Sequence, residues 1–442
     1  MRSPIGVGAI ASVTMFAKDA EEKARLILRG VEAGAGQVTV ATIDYLPPED
    51  REKLSRIVRP EAEKYKTPPA IRPVAPWYGL KLESKYGLEA TLMYVPGLRM
   101  EPRDRRACEE DLGRVIKILK EKLPEGVPII GSVTGAGCLP EGWLPAVELA
   151  EEWGCDLIEL NAACPIPSGF DEYVEWYLEE NWPLRYPGAA LLDCPELMQK
   201  IVREAVKAVK VPVGVKFSPE IGFPRVVKLA RIYQSAGAKF ITTLNCATTI
   251  YPPDIYNRGK PKVPYIDGNF FCGAQGPFLR ILNYKVVAAI KKFVPGIDVQ
   301  AVGGITDPEH VVEFLMLGAN AVQQVFELMM TGVRTIRREV EFLKKFMKEQ
   351  GYRSVKELIG LHLPYIKGSE LISGTKRVKY VVEHNPARCT KCGICLDYPF
   401  CLASYEEGGV IKIDESLCAG CGNCIISCPA KARRLVAKEV ED

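Results

Sequence analysis

Histidine is nearly absent: the 442 residues hold only three, His310, His362 and His384, well apart in sequence. That scatter excludes a histidine-rich metal site and a histidine-based triad. Charge of one sign is missing as well. Lys and Arg number 58 against 55 Asp and Glu, a net +3, too balanced for nucleic acid to be the main partner. No apolar run reaches the length of a membrane-spanning helix, so no membrane partner is expected. The opening MRSPIGVGAIASVTMFAKDA has the look of a short signal peptide, but Pro4 and Gly6 interrupt it and its n-region carries one Arg. A first buried strand or hairpin is the preferred reading, with a cytoplasmic location. A glycine-rich dinucleotide fingerprint is also lacking, since GAIASV and GAGQVTV match it poorly. Its absence leaves a doubly wound sheet as second choice and argues against direct use of NAD(P)H.

What is present is a regular alternation. Apolar runs occur at GQVTVAT (36–42), VPIIGSVT (127–134), DLIELNAA (156–163), VPVGVKFS (211–218), KFITTLN (239–245), DVQAVGG (298–304) and AVQQVFE (321–327). Stretches with helical spacing lie between them, such as CPELMQKIVREAVKAVK (194–210) and PRVVKLARIYQSAG (224–237). Strands bracketed by helices imply a parallel sheet with helical crossovers. An eighth strand is expected within 70–95, with EATLMYV (89–95) the candidate. The fold class is then α/β, a (βα)8 TIM barrel. Two connections, 164–192 and 246–278, are too long for plain barrel loops and follow C-terminal strand ends, where such barrels place their chemistry. Helices are expected at about 331–350 and 353–361. The domain division expected is 1–370 for the barrel with its final helices and 371–442 for a small bacterial-type ferredoxin domain.

The second domain carries the sharpest pattern. Of the 15 cysteines, eight fall between Cys389 and Cys428. Cys418, Cys421, Cys424 and Cys428, followed by Pro429, have the CxxCxxCxxxCP spacing of bacterial iron–sulfur proteins, in which the fourth cysteine ligates the other cluster. Cys389, Cys392, Cys395 and Cys401 repeat it with two extra residues before the last. Zinc is the competing ion, but three close thiolates suit a cluster face better than a tetrahedral ion. Two [4Fe-4S] clusters are expected with crossed ligands, one on Cys389, Cys392, Cys395 and Cys428, the other on Cys418, Cys421, Cys424 and Cys401. With no ligand missing, the clusters act as an electron wire, and the barrel must hold a group that exchanges electrons with them. A flavin does this, coupling one-electron steps to two-electron chemistry. FMN is expected rather than FAD, because no adenine-binding domain is visible. Its phosphate belongs at the ends of strands seven and eight, on Gly303 and Gly304 and on the turn at Val325 and Phe326, where a short helix starts.

SPIGVGAIAS, MYVPGLRMEPR (93–103), IELNAACP (158–165), VKFSP (215–219), LNCATT (244–249) and AVGGI together resemble the flavin barrel of the dihydroorotate and dihydropyrimidine dehydrogenases. A barrel followed by a two-cluster tail is similar to the pyrimidine-reducing subunit of the latter. The resemblance implies that Lys216 approaches the flavin ring, that Asn161 and Asn245 face the substrate, and that Gly273 and Gly276 lie by the flavin. Ordinary alternatives are strand-end capping for the asparagines and a barrel salt bridge for Lys216.

Departures from the family pattern concern the substrate. Ala41 stands near the place of a lysine in the first family strand, and GSVTGAGC, near Cys138, replaces an asparagine. Leu191 and Leu192 occupy the stretch of the family's catalytic acid. By position, Cys194 is the best remaining proton donor: it starts a helix whose dipole would stabilise a thiolate. Cys164, followed by Pro165, reads as a structural thiol, and Tyr173 and Tyr177 are rival acids. The function expected is oxidation or reduction of a C=C/CH–CH bond in a small unsaturated compound, by default a pyrimidine. The electron-donor partner would be a ferredoxin or an NAD(P)H-reductase subunit, within a homo- or hetero-oligomer. The alternative is an electron-transfer subunit without its own substrate chemistry. A tRNA-modifying flavin barrel is disfavoured by the balanced charge and the cluster tail.

Overall fold

The computed structural model describes residues 2–9, 17–45, 47, 78–80, 91–94, 105–135, 139–163, 188–250, 253–261, 271–367, 378–397 and 401–439. They form two compact units, Met1–Pro364 and Tyr365–Asp442.

The first unit is a closed parallel barrel of eight strands. In chain order these are β1 (Ile5–Val7), β2 (Val38–Ile43), β3 (Ile129–Val133), β4 (Leu157–Asn161), β5 (Val213–Lys216), β6 (Phe240–Thr242), β7 (Asp298–Val302) and β8 (Ala321–Gln324). Each pairs with the next, and β1 closes the ring by pairing Ile5 with Val322 and Val7 with Val38. The eighth strand is therefore the opening segment, not EATLMYV. Thr91–Tyr94 is a strand, but it belongs to a separate four-stranded sheet with Tyr78–Leu80, Phe271–Gln275 and Ala247–Ile250. Its pairings with Tyr78–Leu80 and Phe271–Gln275 are antiparallel, which a βα crossover does not produce.

Outer helices bury the stripe their sequence dictates. Helix Pro195–Ala208 turns Met198, Ile201, Val202 and Ala205 inward, and Arg225–Ser235 does the same with Val226, Leu229, Ala230 and Tyr233. Ala20–Glu32 begins at Asp19, whose carboxylate accepts the Glu22 N–H at 2.8 Å. Arg334–Gln350 closes the unit, and the expected helix at 353–361 is instead a short 3-10 turn, Val355–Glu357, held by a Ser354–Glu357 capping box.

The barrel interior is not wholly apolar. Gln300 Nε2 donates to Gln37 Oε1 at 3.0 Å, and Gln323 Nε2 to Gln300 Oε1 at 2.7 Å and Thr39 Oγ1 at 3.1 Å. These amides stand where most barrels stack branched aliphatic side chains. Linked in this way they satisfy much of their own hydrogen bonding, which makes their burial tolerable.

The second unit is small. Val378–His384 pairs antiparallel with Arg433–Glu439, and Ser404–Glu407 with Val410–Ile413. Gly408 and Gly409, at φ +61 and +70, form the two-residue turn of that second hairpin, where side chains would be strained. Among the described residues its apolar core cluster comprises Val381, Val382, Ala403, Cys418 and Cys424.

Candidate functional site

The C-terminal ends of the barrel strands converge on one pocket. Lys216 closes β5, Val302 closes β7, and Ala9, Asn245, Gly303 and Val325 follow β1, β6, β7 and β8. These residues, with Leu244, Cys246, Gln275, Leu279, Gly304 and Phe326, line about 510 Å³ of empty space, its open mouth included.

Lys216 is buried, and its Nζ stands 3.7 Å from Glu159 Oε1, the side chains being 5% and 0% exposed. Register explains the meeting, because β4 and β5 pair in parallel with Glu159 opposite Gly214 and Asn161 opposite Lys216. Ser132 Oγ donates to the same Glu159 oxygen at 2.7 Å, while Oε2 has no partner among the described residues. A buried ammonium without a counter-charge is costly, and Glu159 supplies one. The salt bridge and the pocket position are therefore both real: one side chain is held by Glu159 and lines the cavity.

Above Lys216, Asn245 Nδ2 donates to Asn161 Oδ1 at 3.3 Å, and the Ala163 N–H reaches the same oxygen at 3.4 Å. Asn245 Oδ1 accepts the Cys246 N–H at 2.9 Å and its thiol at 3.2 Å. Each Oδ1 thus accepts a backbone N–H just past its strand, the capping that was the ordinary alternative, and the two asparagines are also joined; Asn245 lines the pocket, whereas Asn161 stands behind it.

Gly303 and Gly304 have φ of +103 and +83. A Cβ on Gly304 would meet the Arg280 backbone nitrogen at 2.2 Å, so only glycine fits. Among the described residues, neither glycine N–H has a hydrogen-bond acceptor. His310 shapes the same turn: its Nδ1 accepts the Thr306 and Asp307 N–H groups at 3.3 and 3.0 Å. Arg280 Nη1 reaches Thr306 Oγ1 at 3.4 Å, setting a cation behind the glycines. Free backbone donors and a buried cation lining the same cavity fit an anionic mononucleotide such as FMN.

Some expected residues stand elsewhere. Gly273 lies in the strand Phe271–Gln275 and Gly276 directly after it, yet of this stretch it is Gln275, between them, that lines the pocket. Cys194 does not line the pocket. It caps helix Pro195–Ala208 without a side-chain capping bond, beside Asp193, Glu196 and Arg225. Burial pushes its thiol up, and Asp193 and Glu196 push it further, outweighing Arg225. That direction is opposite to the expected thiolate stabilisation, first because the sulfur is partly buried and then because two carboxylates stand beside it. Leu191 and Leu192 are core residues, 1% and 2% exposed. Ala41 lies in β2, paired with Ser132. Cys138, Cys164, Tyr173 and Tyr177 lie outside the described residues. Sequence reasoning missed Cys246 and Gln275, although each adjoins a residue it named.

In the second unit, Cys389 Sγ accepts the Lys391 N–H at 3.4 Å and Cys428 Sγ the Ala432 N–H at 3.3 Å. Among the described residues, no group of three or more His, Cys, Asp or Glu surrounds a single ion position. Backbone N–H groups aimed at cysteine sulfur fit thiolates that bind a cluster, whose cysteines take separate corners.

Comparison with known proteins agrees on both units. The dihydroorotate dehydrogenase family model matches residues 185–347, and a 4Fe-4S binding domain model matches 410–432. The catalytic subunit of dihydroorotate dehydrogenase B (NAD(+)) from Thermoplasma volcanium is 31% identical over 253 residues, 57% of this chain and 73% of that protein. The NAD-dependent dihydropyrimidine dehydrogenase subunit PreA of Escherichia coli is 25% identical over 332 residues, 74% of this chain and 68% of that one. A crystal structure of DHODH in complex with ferulenol from Eimeria tenella superposes with TM-score 0.53 at 15% identity. It covers 81% of this chain and 85% of its own, a likeness of fold.

Proposed function

We propose, from the premise that this chain belongs to the dihydroorotate dehydrogenase family, that its barrel interconverts a small cyclic unsaturated amide of pyrimidine type and its CH–CH reduced form. The chain is an iron–sulfur flavoprotein oxidoreductase acting on CH–CH donors, with FMN and [4Fe-4S] clusters as its cofactors. The observation that carries the substrate class is the Asn161–Asn245 pair beside Lys216. Asn245 lines the pocket and is fixed by Asn161, and a fixed carboxamide, donor and acceptor at once, matches the alternating N–H and C=O groups of a cyclic amide.

FMN supplies hydride transfer at its ring and one-electron exchange with the clusters. The chain's own residues do the rest. Gly303, Gly304 and the turn at Val325 and Phe326 would hold the phosphate, and Lys216 would neutralise negative charge that develops on the ring. Glu159 fixes Lys216, and Ser132 fixes Glu159. Asn161 and Asn245 would orient the substrate. Cys246, which lines the pocket and whose thiol donates to Asn245 Oδ1 at 3.2 Å, takes the place of Cys194 as candidate proton donor. The eight tail cysteines would ligate two clusters in the crossed sets given above. Electrons would pass to or from a separate partner, a ferredoxin or an NAD(P)H-reductase subunit.

Ala41 in place of a family lysine favours a second reading, an electron-transfer subunit without substrate chemistry. Anaerobic reoxidation of the photoreduced protein by a panel of cyclic unsaturated amides and unrelated alkenes separates the two. Rapid flavin reoxidation by a pyrimidine is the expected result. No reoxidation by any compound, with normal reoxidation by a ferredoxin, leaves the relay.

A further inference from the structure

The tail buries one arginine and exposes the next, and pairs them the wrong way round for ordinary electrostatics. Exposed Arg434 grips Glu383 with Nε at 2.8 Å and Nη2 at 2.6 Å. Arg433 is 5% exposed, yet among the described residues no carboxylate forms an ion pair with it. Its Nη1 donates to Ser404 Oγ at 2.8 Å, and its Nη2 has no partner among the described residues. Its cross-strand neighbour is His384, whose imidazole burial and the Arg433 charge hold below its usual range. A neutral histidine offers no counter-charge. Arginine stays protonated at any working pH, so this cation has no escape by losing a proton. A buried unpaired charge of this kind survives only if something anionic compensates it.

Two cluster cysteines are tied to the same stretch. Cys401 Sγ lies 3.6 Å from the same Ser404 hydroxyl that Arg433 grips, and Cys428 Sγ accepts the N–H of Ala432, the residue before Arg433, at 3.3 Å. In the crossed ligand scheme these two cysteines belong to different clusters. We propose that Arg433 is a positioning residue for electron transfer, whose buried guanidinium takes the two anionic clusters as its counter-charge and raises their reduction potentials. This goes beyond the redox assignment and rests on the clusters being held by these cysteines. Each uptake of one electron, from reduced flavin or an external reductant, adds one negative charge and no proton. A fixed cation nearby favours that gain.

The test is redox potentiometry of the anaerobic holoprotein followed by electron paramagnetic resonance, on wild type, Arg433→Gln and Arg433→Lys. Iron and sulfide content is measured first. Arg433→Gln should shift the one-electron equilibrium about tenfold toward the oxidised form, a potential lower by about 59 mV, and Arg433→Lys should restore most of it. Cluster loss in Arg433→Gln with retention in Arg433→Lys would also support charge compensation. Unchanged potentials in Arg433→Gln, or equal changes or equal cluster loss in both variants, would overturn it.

Discussion

The two units bury positive charge in opposite ways. In the barrel, Lys216 meets Glu159, which is anchored by Ser132. In the tail, Arg433 has no carboxylate partner among the described residues, and the charge proposed to compensate it is that of the clusters. Their cores differ in the same sense. The barrel closes over one continuous apolar cluster running from Ile5 to Leu358, whereas among the described residues the tail's cluster holds five, two of them cysteines expected to be ligands. A unit that small stands on inorganic staples rather than on apolar burial. The barrel is a scaffold that receives its cofactor; the tail is completed by its cofactors.

The largest effect expected from this contrast is on the tail alone. Chelation and oxidation of the clusters, or Cys424→Ala, should abolish its protection in hydrogen exchange while the barrel strands stay protected. Equal loss of protection in both units would end the distinction.

Next comes chemistry at the pocket. Cys246→Ala should slow reoxidation of reduced flavin by substrate about 10²–10⁴-fold, the range for a lost general acid, with flavin content retained. A single-turnover rate within a factor of two of wild type would remove Cys246 from the role.

A second buried acid of the first unit, Glu339 on the helix Arg334–Gln350, gives a smaller, pH-dependent effect. Burial raises Glu339 to about 8, against the lowering influence of Thr335, Arg338 and Gln324, and Glu327 raises it further. A carboxyl whose folded value lies above its unfolded value contributes stability that is complete below about 4.5. That contribution falls as pH rises and is lost above about 8. Glu339→Gln should flatten this decline and stabilise the barrel at pH 9 by up to a few kcal/mol relative to wild type. Parallel pH–stability curves for the two proteins would refute the assignment. The smallest effect belongs to Cys194→Ala, since its thiol lies away from the pocket: substrate reoxidation should change less than about threefold. A loss of 10² or more, the signature of a missing acid, would return Cys194 to the site.

Much of this was legible in the chain because spacing carries it. The cluster cysteines are read from short fixed intervals, and Gly303 and Gly304 from their place after an apolar run. β1 was not assigned to the barrel, since three residues, Ile5–Val7, are too few to show a period. EATLMYV looked the better candidate, but pairing partners, not propensity, decide which sheet a strand joins. Cys246 and Gln275 are adjacent to named residues, and only the strand ends reveal which neighbour faces the cavity. Arg433 was invisible because its meaning lies in a missing counter-charge, a property of three-dimensional surroundings.

The central claim is one flavin barrel joined to a tail completed by two cubanes. Iron, sulfide and flavin analysis of anaerobically purified protein tests it most directly. About eight iron and eight sulfide with one FMN per chain is the predicted result, following the paired-cubane ligand count. Zinc in place of iron, about four iron per chain, or FAD in the acid extract would contradict it.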